Sequence, residues 1–286
     1  MESIPVRHIN EQAEPTLSSS FSIRDITSLI LDKDMVQQLH RHDFFYILFI
    51  KKGTGNHEID FTNYEIKDHT VFMMRPGQVH QLLLKANSTG YLVQFNLDFL
   101  YSHNSASQNH LTKLIQYNNY NLEQEGFNKI EYLLKDSLKE YTDKFKGYQE
   151  VLKANLSIFL IELLRQRQNK TVRTLSTNSY AQEKLEHFLE LVETNSTTYK
   201  QVSKYTDLLN LSSYQLSAIT KLLLNKTPSE IINDYVILEA KRQLLATSNQ
   251  VSQIAYHLGF EDASYFTRFF KKHTNLSPES FRQNSK

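Results

Sequence analysis

The sequence predicts an α+β chain in two parts: a small N-terminal β-barrel or sandwich with flanking helices, then an all-helical C-terminal part. Three observations carry this. Over about 21–100, short aromatic and aliphatic segments are separated by glycine or Asn/Asp turns. From about 126 onward, apolar residues recur at three- and four-residue steps. Near the C-terminus, a pattern repeats at an offset of 50 residues. A length of 286 residues suits two domains, each large enough to bury its own core.

The strand segments are FSIRDITSLI, FFYILFIKKGTG, NHEIDF, HTVFMMRPGQVHQLLLK and STGYLVQFNLDF, with Gly53, Gly55, Gly77 and Gly90 where strands would turn. Two amphipathic helices follow. GFNKIEYLLKDSLKEYTDKF carries a stripe through Ile130, Leu133, Leu134, Leu138 and Tyr141, and YQEVLKANLSIFLIELLRQRQ one through Val151, Leu152, Leu156, Phe159, Leu160 and Leu163. Periodicity then lapses into Ser, Thr and Asn. The stretch 169–180 therefore reads as a linker between a domain over 1–168 and another over 181–286.

Composition excludes several classes. A net charge of +1 gives no bulk attraction to polyanions, so a nucleic-acid site must come from local placement of charge. The lack of cysteine excludes disulfides, thiolate nucleophiles and zinc–thiolate centres. The first residues lack the basic-then-apolar order of a signal peptide. The longest apolar run, 44–50, is far short of the ~20 residues that cross a bilayer. A cytoplasmic protein is expected.

The repeat aligns SSYQLSAITKLLLNKTPSEI (212–231) with DASYFTRFFKKHTNLSPESF (262–281), so that Leu216 meets Phe266, Ile219 meets Phe269 and Pro228 meets Pro278. A short helical segment precedes each copy, giving two helix-turn-helix units over about 200–224 and 251–273. Gly259 and Asn210 stand where a left-handed residue closes the first helix. Asp262 is placed to cap the next helix, and Ser212 with Gln215 forms a capping box. Thr227, Pro228 and Glu230 start a joining helix that runs to about Ala246, with Ile231, Tyr235, Leu238 and Leu245 on one face. At 1.5 Å per residue it spans roughly 30 Å, close to the ~34 Å between successive major-groove windows.

If Phe266 and Phe269 enter the core, Ser264, Thr267, Arg268, Lys271 and Lys272 face outward. In the first unit Leu216, Ile219 and Leu223 turn inward, leaving Tyr214, Gln215, Ser217 and Lys221 outside. Arg268 suits guanine or phosphate, and the lysines suit phosphates. Singly, such lysines are an ordinary solvated face, and Gln215 has work in its cap.

The repeat, its spacing, the joining helix and LGFEDASYFTRFFKKHTNLSP closely resemble the DNA-binding domain of AraC/XylS-family transcription regulators over about 181–286. The resemblance implies that helices 212–224 and 262–273 enter major grooves. It also implies recruitment of RNA polymerase at promoter DNA, usually for activation, in a bacterial, nucleoid-associated protein. The family usually has arginine where Ala218 stands here.

HRHDFFYILFIKKGTG and RPGQVHQL are similar to recurring segments of the family's cupin-like effector domain. On a strand, His40, His42, Phe44, Tyr46 and Leu48 share one face, with His80 approaching from a neighbour. The expected effector contacts are His40, His42, Tyr46, Arg75, His80 and Gln94, binding a small polar molecule, sugar-like or other. Metal-binding cupins usually add a glutamate after the H-x-H, where Tyr46 and Ile47 stand here, so no metal, cofactor or catalysis is expected. A metal-dependent cupin enzyme and a regulator without ligand remain the alternatives. The helices of 126–168 pack on the barrel or form a homodimer interface.

Overall fold

The computed structural model describes residues 5–9, 20–30, 32–100, 110, 111, 114, 117–174 and 179–284, with backbone alone over 167–174 and at 179. It divides into two compact units between Thr174 and Leu175. In the first, the described elements are β1 (Val6–Arg7), β2 (Phe21–Asp25), α1 (Thr27–Ile30), β3 (Met35–His42), β4 (Phe45–Lys52), β5 (Gly55–Ile59), β6 (Thr62–Ile66), β7 (Thr70–Met74), β8 (Val79–Leu84), β9 (Thr89–Phe95), α2 (Leu97–Leu100), β10 (Asn119–Asn121), α3 (Gln124–Asp143) and α4 (Tyr148–Thr174).

The strands form two five-stranded sheets, ordered β1-β3-β8-β5-β6 and β10-β7-β4-β9-β2. Pairing is antiparallel except between β1 and β3. A core of Tyr46, Leu48, Ile50, Phe72 and Met74 from the second sheet, with Phe44 just ahead of β4, meets Ile59, Ile66, Leu82 and Leu84 from the first. The other face of the second sheet, with Phe45, Ile47, Phe49, Val71, Met73 and Val93, packs on Phe127, Ile130 and Leu134 of α3 and Leu156, Phe159 and Leu163 of α4. A sheet covered on both faces calls for apolar residues at every position rather than alternation. That explains the unbroken run at 44–50.

Helices α3 and α4 form an antiparallel hairpin whose turn contains Lys144 (φ 52°) and Gly147 (φ 85°). Val151, expected on the apolar stripe, is exposed. Helix α4 reaches Thr174 and so occupies the first part of the segment expected to be a linker. Residues 175–178 of that segment lie outside the described residues.

The second unit contains α5 (Ser179–Asn195), α6 (Val202–Leu209), α7 (Ser213–Leu224), α8 (Pro228–Ala246), α9 (Val251–His257), α10 (Ala263–Thr274) and α11 (Pro278–Asn284). The expected caps are present. Ser212 Oγ accepts from the Gln215 N–H at 3.2 Å while Gln215 Oε1 accepts from the Ser212 N–H at 2.9 Å, and Thr227 with Glu230 repeats the arrangement. Asn210 is left-handed at φ 52°, and Asp262 accepts from the N–H groups of Ser264 and Tyr265. The joining helix α8 is buried more widely than one face: Ile231, Ile232, Val236, Ile237, Ala240, Leu244 and Leu245 are inside, whereas Tyr235 and Leu238 are half-buried. It touches α5, α7, α9, α10 and α11, so more than one face needs apolar cover. Arg282 reaches from α11 to the carbonyls of Leu244 (2.9 Å) and Asn249 (2.7 Å), tying off the far end.

In α10 the buried pair is Phe266 and Phe270, a four-residue step, in place of the expected Phe266 and Phe269. Phe269 is half-buried, its ring against Phe260 and His273. Phe260 is the reason: its ring, following the Gly259 turn, meets those of Tyr265 and Phe266 and holds Phe269 at the rim.

Gly259, at φ 76°, is the tightest point of the second helix-turn-helix. A Cβ there would lie 1.7 Å from the Thr197 carbonyl oxygen, and Lys200 Nζ donates to the Leu258 carbonyl at 2.6 Å beside it. Gly259→Ala is expected to cost about 3 kcal/mol or more, combining left-handed strain with a backbone clash. Gly77→Ala, at φ 83° with open space around its Cβ, is expected to cost only about 1–2 kcal/mol. Denaturant midpoints of the two units check the contrast.

A candidate ligand cavity and a candidate nucleic-acid interface

The chain passes from the first sheet to the second between His42 and Phe45. His40 and His42 therefore lie on β3, and Tyr46 and Leu48 on β4 of the facing sheet, rather than on the single strand expected. Alternation survives the corner, and all five side chains from His40 to Leu48 on that parity are buried. A bulge between Gln37 and His40 comes just before it. Met35 and Gln37 are the more buried positions before the bulge, and His40 and His42 after it, so one irregularity changes parity and turns both imidazoles inward.

They face a cavity of about 1180 Å³. Its wall includes His40, His42, Tyr46, His80 and Gln94, together with Phe44, Leu92, Met35 and the guanidinium-bearing Arg7 and Arg24. Arg75 is not part of this wall. It follows Met74 at the end of β7, where the chain turns, and its N–H donates to Gln78 Oε1 at 2.8 Å. Gln94 stands opposite Tyr46 across the β4–β9 ladder and accepts from Ser22 Oγ at 2.9 Å. The Tyr46 ring stacks on His42 at 5.1 Å, and burial raises its phenol far above the ordinary value.

His57 escaped the sequence reading and belongs to the same cluster. Strand β8 lies between β3 and β5, pairing His40 with His80 on one side and Ile59 with His80 on the other. His42 Nε2 and His80 Nε2 are 2.8 Å apart, and His80 Nδ1 and His57 Nε2 are 2.9 Å apart. His40 Nδ1 donates to the Gln38 carbonyl at 2.7 Å, which leaves its Nε2 as a bare acceptor. The signal for His57 was its spacing from Ile59, two inward positions on one strand.

Burial keeps all four rings neutral. It lowers His40 to about 4, His42 to about 2 and His57 to about 3, and holds His80 well below the ordinary histidine value. Neighbouring imidazoles and Arg7 push the same way. Neutral histidines with inward-facing nitrogens accept hydrogen bonds or ligate metals.

In the second unit, the outer side of α10 presents Ser264, Arg268, Lys271 and Lys272 to solvent, with Thr267 half-buried and its hydroxyl donating to the Ala263 carbonyl at 2.9 Å. Arg268 is 70% exposed and meets Asp262 only at 4.0 Å, an exposed pair worth about 0–1 kcal/mol and easily exchanged for another anion. On α7, Tyr214 is 83% exposed and Lys221 is exposed, Ser217 is half-buried, and the side-chain amide oxygen of Gln215 is taken by its cap. The two recognition faces differ as the sequence suggested: α10 carries a cationic edge and α7 an aromatic and polar one.

The imidazole cluster sets an acid limit on the first unit. Above about pH 6.5 folded and unfolded histidines are both neutral and stability is full. As pH falls toward 4, the unfolded chain binds protons that the folded cluster refuses, so stability declines by about 1.4 kcal/mol per pH unit for each imidazole still neutral. Urea midpoints between pH 7.5 and 5 in the presence of a chelator check this. His57→Gln is expected to shallow the decline, and a midpoint independent of pH would contradict it.

Comparison with known proteins matches residues 32–109 to the AraC-like ligand binding domain and residues 205–284 to a helix-turn-helix domain. The HTH-type transcriptional activators RhaS of Salmonella paratyphi B and Salmonella newport are each 25% identical over 252 residues, covering 85% of this chain and 87% of theirs. Among solved structures, unsaturated fatty acid bound ToxT from Vibrio cholerae is 19% identical with a TM-score of 0.42, covering 92% of this chain and 95% of its own. The C-terminal domain of the response regulator yesN from Fusobacterium nucleatum is 29% identical over 34% of this chain and 95% of its own, with a TM-score of 0.32. With a ligand-binding β domain ahead of a doubled helix-turn-helix, both in the expected order, the chain belongs to the AraC family of transcription regulators.

Proposed function

We propose that this regulator binds promoter DNA through α7 and α10 and activates transcription in response to a small molecule held in the cavity of the first unit. The observation that carries the DNA half is the exposed cationic edge Arg268, Lys271 and Lys272 on the second helix of a duplicated helix-turn-helix. Phosphate contacts by the lysines supply most of the affinity, and Arg268, Ser264 and Thr267, with Tyr214, Ser217 and Lys221 on the other face, supply the preference for sequence. Activation follows the relatives named as transcriptional activators, and recruitment of RNA polymerase is the means we assign to it. The cavity serves recognition rather than catalysis.

The ligand half rests on a large cavity whose wall combines apolar side chains such as Met35, Phe44 and Leu92 with many hydrogen-bonding and charged ones. His40, His42, Tyr46, His80 and Gln94 supply the hydrogen bonds, and Arg7 and Arg24 replace Arg75 as the guanidinium groups at its wall. Tyr132, Phe145 and Ile158, exposed on the α3–α4 hairpin, give a second copy of the chain an apolar face to pair with. The site of action is the cytoplasm of a bacterial cell, on the nucleoid. No described helix is long and apolar enough to cross a membrane.

Duplex binding at several salt concentrations tests the assignment. Arg268→Ala is expected to weaken the best site by ~1–3 kcal/mol and to relax preference at one base position. Lys271→Ala is expected to weaken all duplexes alike and to lower the salt slope by about one. Equal affinity of wild type and Arg268→Ala for the best site removes Arg268 from base reading.

A further inference from the structure

No glutamate stands after the H-x-H where Tyr46 and Ile47 do, and in the sequence that absence argues against a metal; Asp43, which follows His42 directly, is exposed and pairs with His8. The structure brings the three histidines themselves close enough to share an ion. One ring nitrogen from each of His40, His42 and His80 lies within 4.8 Å of the other two, and all three side chains are buried. The contact between His42 Nε2 and His80 Nε2 is 2.8 Å. Zinc–nitrogen bonds of 2.0–2.1 Å place two tetrahedral ligands about 3.3 Å apart, a value bracketed by these separations. Three imidazoles with a further position left open are a ligand set that zinc accepts without any carboxylate.

The surroundings are those of an oriented site. A ligating imidazole is commonly held through its second nitrogen by an acceptor, which fixes both tautomer and ring plane; His40 and His80 have such a partner, and His42 is held by ring packing instead. His40 Nδ1 donates to the Gln38 carbonyl, which aims a bare Nε2 inward. His80 Nδ1 faces His57 Nε2 at 2.9 Å, and His57 is fully buried between Phe72 and His80. The His42 ring is sandwiched against Phe44 and Tyr46. The three imidazoles form a file from His42 through His80 to His57, whose end nitrogens, His42 Nδ1 and His57 Nδ1, have no hydrogen-bond partner among the described residues.

We propose that His40, His42 and His80 bind one divalent first-row transition metal ion, with His57 positioning His80 and the remaining coordination positions open to the cavity. This deepens the reading of the cavity as the ligand site and rests on it. The wall also holds Arg7, Arg24 and Lys33 beside Asp32 and Asp34, and its two guanidinium groups suit an oxygen-donor anion that completes the coordination sphere. The chemical class of effector that follows is a small carboxylate or hydroxy acid able to bind metal and guanidinium together, or the ion itself.

The test uses the full chain, stripped with a chelator and titrated with Co²⁺, whose visible absorption reports imidazole ligation in a four- or five-coordinate site, followed by displacement with Zn²⁺. One equivalent is expected, with the band lost in His42→Ala and His80→Ala and retained in His187→Ala, a surface control on α5. His57→Ala is expected to weaken binding about 10–100-fold, and His57→Gln, which keeps an acceptor for His80, to restore most of it. Circular dichroism confirms that each variant is folded, and His40→Gln supplies a second variant should an alanine fail to fold. A spectrum of the hydrated ion alone, or uptake unchanged in a folded His42→Ala/His80→Ala chain, overturns the proposal. Duplex binding is measured on the same preparations: cobalt uptake without DNA binding leaves the metal site and removes the regulator reading, and DNA binding without cobalt uptake does the reverse.

Discussion

The second sheet is a wall shared by two environments, and most of the first unit depends on that. Along β4 the odd positions Phe45, Ile47 and Phe49 pack on the α3–α4 hairpin, while the even positions Tyr46, Leu48 and Ile50 face the other sheet. Each face is buried to within a few per cent, so neither has slack. Close-packed interiors move in discrete steps rather than by smooth deformation. A ligand that shifts Tyr46 must therefore be felt by Ile47 and, through it, by Phe159 and the helix that leads to Thr174. That is a physical route by which a filled cavity biases the rest of the chain, provided the ligand favours one arrangement over another.

The second unit solves a separate problem: two short readers must keep a fixed spacing. Helix α8 does this by being buried on nearly all sides, with Arg282 closing one end and the Thr227–Glu230 box the other. Its 19 residues correspond to about 28 Å of stiff spacer. Lys200, which precedes α6, donates to the carbonyls of Leu258 and Gly259 in the second reader's turn, so the two readers are also linked directly. The desolvation that lowers its ammonium pKa is offset by three carbonyls and the Phe260 ring at 4.7 Å.

Much of this was legible in the sequence, because it is written in local chemistry. Caps such as Ser212, Thr227 and Asp262 and left-handed residues such as Asn210 and Gly259 depend on neighbours a few positions away, and each occurs where its residue type places it. What escaped was nonlocal. The bulge before His40 has no composition of its own, and the passage between sheets after His42 takes only Asp43 and Phe44, with no glycine or proline to mark it. His57 joins His80 only because β5 pairs with β8. The Phe269 and Phe270 exchange came from Phe260, whose ring decides which neighbour reaches the core. Arg75 was grouped with His80 by nearness in sequence, but the turn after Met74 leaves it off the cavity wall.

The central claim is that one chain presents two readers to adjacent grooves of one duplex. Selection of bound duplexes from a random DNA pool tests it most directly. The account predicts two short boxes with centres about 10–10.5 base pairs apart and an affinity that falls steeply with salt. Recovery of one box alone would assign base reading to a single helix, and failure to enrich any sequence, with weak binding indifferent to salt, would contradict the account.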